Sequence, residues 1–502
     1  MQAARIPDRR GAIVNLYKNQ HGNATLLTVF LFAAAALTVF GLFNVGQQTT
    51  TKVRLQTISD AAAQSVATVV ARDLNFKAYT NRAMVANQVA IGQLVGIASW
   101  TQMFYRSVNN LNNVTQFLNV IPGIGTAIAN AVRAIRQAAN AINQAIDRAM
   151  PVLIQVEDKL IMALSEAQLA SHIATIEIAR ETLNNVVSES DSDIDTSALW
   201  SNAIFWGAFT NNVMTQQERY EPTSRNDRSP KATESRRRMA EFKDVTKASA
   251  DRFVNGRSYE WCLIPFICRP PIPPPIPQFK IDKFGGSELM PTTGNTKETY
   301  QWTAMDSVAL RMRFFKLFGY GSWKETLPLG WGAAHALKDS GDTYNYAAHR
   351  DKKLWGNGTW ELGTTTGLGY STYRNNNLTH TQGLMPYYEL KQRGRVPDDY
   401  INLQVLLFKK SDRLRTMTTV AANVQGYTVP SAYNVEEKGG MAGNRMGALA
   451  KAGVYFFRPN EGDFRRPDGK REYGNLYNPY WQVRLLPSSN AERTAALAIA
   501  QF

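Results

Sequence analysis

The sequence predicts an α+β fold: a single N-terminal transmembrane helix that continues into a long helical hairpin, followed by a loop-rich, mainly antiparallel β distal domain. Three observations carry this. Gly22 to Thr51 contains no charged residue. Proline is absent from Gln47 to Val120, which leaves the helix uninterrupted beyond that run. From Gly256 onward Gly, Trp, Tyr and Pro become frequent, and short apolar runs are separated by Gly and Asn clusters.

The span is Ala24 to Val45, ATLLTVFLFAAAALTVFGLFNV. At about 1.5 Å per residue it reaches about 33 Å, enough to cross a hydrocarbon core. A cleaved secretory signal has a shorter apolar region followed directly by an A-x-A-like site, where Asn44-Val45-Gly46-Gln47 stands instead. Arg5, Arg9, Arg10 and Lys18 precede the span against Asp8 alone, and Lys52 and Arg54 follow it. The positive-inside rule then places the N-terminus in the cytoplasm and the bulk of the chain beyond a bacterial inner membrane, periplasmic or extracellular.

Beyond the span, Ile121-Pro122-Gly123-Ile124-Gly125 reads as a turn between two helices. After it, apolar or small residues fall at Ile128, Val132, Ile135, Ala139, Ile142, Ile146, Ala149, Leu153, Val156, Leu160, Ala163 and Ala167, at alternating steps of 4 and 3. This is a coiled-coil-like seam, and it stays in phase across Pro151. Its partner face is expected on the first helix, and the exposed side of the hairpin is a packing surface for other subunits, further copies of the chain included.

Residues 188–230 read as polar and loop-rich. Asp191, Asp193 and Asp195 alternate like the start of a calcium loop, but Thr196 replaces its glycine and Asn202 its final glutamate, so a solvated acidic turn is the expectation. A charged surface helix is expected at about 232–253, carrying Arg236-Arg237-Arg238. Pro270 to Pro277 holds six prolines in eight residues and reads as a stiff extended connector. Strands are expected at 403–408, 454–457 and 481–485, and Ser489-Asn490-Ala491-Glu492 is a capping box opening a C-terminal helix.

The expected divisions are a basic cytoplasmic leader (1–21), the transmembrane anchor (22–46), the helical hairpin (47–187), a polar linker with the charged helix (188–255), and a Gly/Trp/Tyr-rich distal domain with strands and a C-terminal helix (256–502).

The only two cysteines, Cys262 and Cys268, share one short loop. Even count and close spacing suit a disulfide in an oxidising compartment. The five histidines have no metal-ligand spacing, and no H-E-x-x-H, G-x-S-x-G, Walker loop or dinucleotide fingerprint occurs. Gly363 to Gly369, GTTTGLG, lacks the Lys-Ser/Thr of a phosphate cradle. No enzyme, no metal and no cofactor is expected. The formal net charge of +15 favours anionic neighbours such as lipid headgroups, but no nucleic-acid module is present.

Gly22, the apolar span and Leu55-Gln56-Thr57-Ile58-Ser59-Asp60-Ala61-Ala62-Ala63 resemble the N-terminal module of TadE/TadG-like proteins of the Tad (tight adherence, Flp) pilus system. Within it, Leu55, Gln56, Asp60, Ala61 and Ala62 match an L-Q-x-x-x-D-A-A-A stretch. Tyr79 to Gln88, Ser249 to Arg257 with Trp261, Val454-Tyr455-Phe456, Arg458-Pro459 and Asn475 to Trp481 resemble the longer TadG-like members. Two positions depart from the family: Asn44 stands where many members carry Asp, and Leu27 where peptidase-cleaved pilins carry Glu. The resemblance implies a structural or assembly component of a Tad/Flp-type pilus, or a minor pilin-like subunit, with other pilus-assembly proteins or pilins and the lipid bilayer as partners. Leu27 implies a retained anchor. The alternative is a cell-envelope adhesin or sensor that binds a surface or polysaccharide through the distal domain.

Overall fold

The computed structural model describes residues 21–116, 124–195, 209–261, 278–292, 297–316, 319–337, 377–392, 401–410, 413–414, 416, 445–459, 462, 465–470 and 472–500. Two helices dominate it. Helix α1 runs His21–Gln116 and, at 96 residues, is about 144 Å long. Helix α2 runs Ile124–Ser190 with Pro151 inside it. The Pro122 turn lies outside the described residues.

Side-chain bonds set the direction of α2 against α1. Gln168 Nε2 donates to Thr80 and Asn81, Ser171 Oγ donates to Asp73 at 2.8 Å, and Arg54 donates to the carbonyl of Ser190. Residue numbers rise on one helix as they fall on the other, so the two are antiparallel and α2 returns toward the apolar end of α1.

Among the described residues the shorter α-helices α3 (Pro230–Ser249), α4 (Arg252–Asn255) and α5 (Asn490–Ala500) follow. Ser229 caps α3, and Pro230 opens it where the missing N–H costs nothing. At α5 the expected capping box forms, with Ser489 N on Glu492 and Glu492 N on Ser489 Oγ.

The strands used below are β1 (Ile194–Asp195), β2 (Gln217–Tyr220), β3 (Tyr259–Trp261), β4 (Gln278–Pro291), β5 (Tyr300–Arg313), β6 (Lys324–Leu337), β7 (Asn377–His380), β8 (Tyr387–Leu390), β9 (Ile401–Lys410), β10 (Arg445–Phe456) and β11 (Trp481–Leu486). The first sheet has the order β1-β9-β10-β11 and is antiparallel throughout. The second has the order β7-β6-β5-β4-β3, antiparallel except for the β6–β7 pair. A two-stranded ladder joins β2 to β8.

Helix α1 supplies one wall to both sheets. Its residues Leu55 to Leu74 pack with Leu403, Val405, Ala448, Ala450 and Val454 of the first sheet and with Ala179, Leu183 and Val187 of α2. One stretch on, Met84 to Ala98 packs with Trp302, Ala304 and Ala334 of the second sheet, with Met150, Ile154 and Ile161 of α2, and with Phe242 of α3. Both cores cross the boundaries near 188 and 256 drawn from composition. The chain also interleaves them: strands from 259–380 build the second sheet, and the first is finished by strands from 401–486.

The helix lies close on the second sheet. A Cβ added at Gly332 would stand 2.0 Å from the Ser99 carbonyl, and one at Gly330 would stand 2.7 Å from the Ser107 nitrogen. Across the same contact, Gly92 of α1 leaves room for the Trp302 ring. Two elements this near exclude even a methyl group.

The buried stripe on α2 coincides with the expected seam at Val132 and Ala139 and departs from it elsewhere. Val132, Ala139, Met150, Ile154, Ile161, Ala179 and Leu183 are buried, whereas Ile135, Ile142, Leu153, Val156 and Leu160 are 45–60% exposed. Two apolar stripes lie side by side on this helix. The one facing α1 is interrupted by buried Asp158, Ser165, Gln168 and Thr175, so its spacing is less regular in apolar residues. An aspartate at Ile135 or Ile142 would therefore meet solvent rather than a core.

Gly332→Ala should destabilise the protein by about 2 kcal/mol, as overpacking does. The measurement is the thermal unfolding midpoint of the detergent-solubilised full chain. Gly256→Ala, where an added Cβ meets nothing within 4 Å, should leave the midpoint in place. Equal midpoints for both variants would mean that α1 does not seat on this strand.

Candidate functional site

The candidate site is the N-terminal third of α1, where an apolar helix becomes the wall of a core. From Ala24 to Val45 the side chains are largely exposed; Leu27 is 64% and Phe32 76% exposed. A helix with this much bare apolar surface and no charge is long and apolar enough to cross a membrane. Gly22 lies in the first turn of the same helix. Asn44 is buried, near where the uncovered stretch ends.

The matched motif residues start the covered part. Leu55 is buried, and four residues on Ser59 lies 3.1 Å from the Val405 carbonyl and 3.3 Å from that of Ala448. Ala62, Ala63, Val66 and Val70 continue this face, all buried. Small residues meet small residues here, because Ala448, Ala450 and Ala452 of β10 line the sheet opposite. Gln56 spends its two amide hydrogens on the Leu449 carbonyl and on Asp60, holding the motif's polar pair against the sheet edge. Ala61 is exposed. The motif is thus the seat of the helix on its own sheet, with Leu55, Gln56 and Ala62 turned toward β10 and Asp60 serving Gln56.

Further along, α1 carries buried polar groups. Lys77 Nζ lies 2.5 Å from Asp73, 2.6 Å from Gln217 and 2.9 Å from His172 Nδ1, beneath the ring of Tyr388. Burial lowers Lys77 to about 8, although the Asp73 charge and hydrogen bond pull the other way. Burial and then the Lys77 charge hold His172 down at about 4. On the second sheet Arg257 and Lys283 converge on buried Asp306, with Arg257 Nη2 at 2.8 Å. Arg257 also donates to Ser287, whose hydroxyl reaches the Gly92 carbonyl of α1. Lys77 with Asp73, and Asp306 with Arg257 and Lys283, each bury a charge beside its counter-charge.

These ties join the segments noted at both ends of the chain. Asn81, within the Tyr79 to Gln88 stretch, donates to the carbonyls of Tyr388 and Leu476. Asn75 and Trp481 exchange two hydrogen bonds at 3.0 Å. Glu389 Oε1 accepts from Leu476 N and Leu390 N, both at 2.8 Å. The Asn475 to Trp481 segment therefore clasps α1 through amides, a pattern that apolar periodicity does not register.

Other expected features fall out differently. Asp191 does not face solvent freely: Lys409 Nζ lies 2.8 Å from it and 3.5 Å from Asp193. Burial would raise the Asp191 carboxyl, but the hydrogen bonds from Lys409 and the Asp193 amide hold it below its usual range. A lysine thus sits where a calcium ion was considered. Arg238 is not on a solvated face either; it is buried and donates to the carbonyls of Leu390 and Lys391. Arg236 and Arg237 bind Ser224 and Glu234 nearby. Cys262, Cys268, Pro270 to Pro277 and Gly363 to Gly369 lie outside the described residues.

Burial pushes Glu389 up from 4.5 to about 7. Between those values the folded state holds a proton that the unfolded state has released, so stability falls as pH rises through this window and is retained below it. Glu389→Gln keeps the Oε1 acceptor and removes the charge. It should raise the unfolding free energy at pH 8 by up to about 3 kcal/mol, read by denaturant titration, and change it little at pH 4.5. A variant no more stable than the wild type at pH 8 would show that the carboxylate is not penalised by burial.

Comparison with known protein families matches residues 22–69 to the family described as putative Flp pilus-assembly TadE/G-like. No curated protein and no solved structure gives a match. The matched span ends inside the stretch of α1 that seats on the first sheet, after Val66 and Ala67. The apolar end of α1 and most of its seat on the first sheet, residues 22–69, are thus the part of the chain that is similar to the TadE/G-like family of Flp pilus assembly.

Proposed function

We propose that this protein is an assembly or structural component of a Tad/Flp-type pilus, held in the inner membrane by a retained single span with its N-terminus in the cytoplasm. The observation that carries this reading is the coincidence of the family match at 22–69 with a helix that is bare over its apolar part and core-forming from Leu55 on. The leading arginines orient the span. The remaining regions, 47–187, 188–255 and 256–502, then lie beyond the membrane, and a Cys262–Cys268 disulfide suits that oxidising side.

The mechanism is mechanical. An α-helix whose hydrogen bonds run unbroken from the lipid into two cores transmits position between them without a hinge. Force on the exported cores is delivered to the anchor along α1, and the Leu55–Leu74 seat resists it by buried apolar area rather than by a flexible tether. Other pilus-assembly proteins or pilins are the partners this role requires. No chemical step is assigned to the chain.

Deletion of the gene should reduce surface pili and tight adherence and leave growth unchanged. A periplasmic reporter fused after residue 60 should be active, and the protein should run at full length in membranes with or without prepilin peptidase, since Leu27 replaces the expected glutamate. Loss of about 22 residues only when the peptidase is present would make the chain a processed minor pilin. Normal piliation and adherence in the deletion strain would favour an envelope adhesin or sensor.

A further inference from the structure

The α2 face that does not pack on α1 is a second apolar stripe. Ile135, Ile142, Leu153, Val156 and Leu160 stand on it, each 45–60% exposed. Exposed Ala138, Ala145, Ala149 and Ala163 fill the positions between them. From Ile135 to Ala163 the steps are 3 and 4, with a single 4-4 step at 149–153, beside Pro151. No charged residue falls on these positions. Monomeric proteins seldom expose so long an apolar patch.

Exposed Ala131, Ala174 and Ile178 continue the same face beyond both ends of the stripe, so from Ala131 to Ile178 the face is about 70 Å long; a helix is about 10 Å wide, which gives on the order of 700 Å² of facing surface. A stable interface buries about 800 Å² per partner. Chains with a net charge of +15 repel one another over most of their surface. The uncharged stripe is where that repulsion is weakest. The inference also rests on the membrane-anchored reading above: every copy is then held in one plane, with α2 at one height and pointing one way. Under that constraint a heptad-like stripe meets its own equivalent in register, and the alanines let the two helix axes approach.

We propose that the Ile135–Ala163 stripe of α2 is a homotypic interface, binding a parallel, in-register second copy of this chain. Lys159, on the same helix but off the stripe, marks the edge of the contact.

The test uses the full chain with both cysteines, expressed in membranes of a host without pilus components. A benzophenone amino acid replaces Leu153, Leu160 or Lys159, one at a time, and the membranes are irradiated. Expected are adducts of twice the chain mass for positions 153 and 160, at least tenfold stronger than for 159, with mass spectrometry placing the attachment within 149–167 of the second copy. Equal yields at all three positions, attachment elsewhere on the chain, adducts to another protein, or no adduct would each overturn the proposal. Leu153→Glu provides a second reading. It should keep the unfolding midpoint of the solubilised monomer and lower the 160-position adduct at least tenfold; an unchanged adduct would also overturn it. A negative result here leaves the pilus reading standing, because that reading is judged by the deletion phenotype.

Discussion

The structure depends on the continuity of one helix. The backbone hydrogen bonds of α1 from His21 to Gln116 are local, as in any α-helix, but its surface changes environment twice along its length. It is bare over the apolar span, small and alanine-rich on the first sheet, and carries Gly92 against Trp302 and Ser99 against Gly332 where it meets the second sheet. The other elements are arranged around that rod. Helix α2 covers one side, the sheets cover another, and α3 closes the second core with Phe242.

Polar groups give the contact its register. An apolar helix on an apolar sheet can slide by a turn at modest cost, whereas Asn81 on Leu476 and Tyr388, Asn75 on Trp481, and Ser59 on Val405 each have one position in which their partners are met. A shift of one turn, about 5.4 Å, would leave several buried donors without acceptors. Lys77 with Asp73, and Asp306 with Arg257 and Lys283, make the same demand with full charges. These pairs specify the arrangement more than they stabilise it, since burying them has its own desolvation cost.

Much of this was legible in the residues. The uncharged run, the helical stretch without proline, the alternation at Leu403 to Leu407, and the capping box at Ser489 each express a single dominant force, and the structure places helix or strand there. Strands β4, β5 and β6 were not expected. They carry Lys280, Asp282, Lys283, Glu288 and Asp306 in buried positions, so neither the alternation of a half-buried strand nor the apolar run of a fully buried one is visible. Lys283 meets Asp306 and Glu288 meets Lys247, partners distant in sequence that a linear reading cannot pair. The same reason hid the true inner face of α2, where Gln168 and Ser165 bond to α1 and to the Pro386 carbonyl. Arg238 was hidden in the run of three arginines because only its neighbours' backbones distinguish it.

The clasp between the two ends of the chain sets an order for synthesis. Ser59 meets Val405 across 346 residues, and Asn75 meets Trp481 across 406. A ribosome adds roughly 5–20 residues per second, so the seat on α1 waits on the order of tens of seconds for the strands that cover it. During that interval the alanine-rich face of α1 from Leu55 to Leu74 stands without the strands that cover it. The fold therefore places a demand on the cell rather than on the finished molecule: something must shield the nascent helix until its last strand arrives.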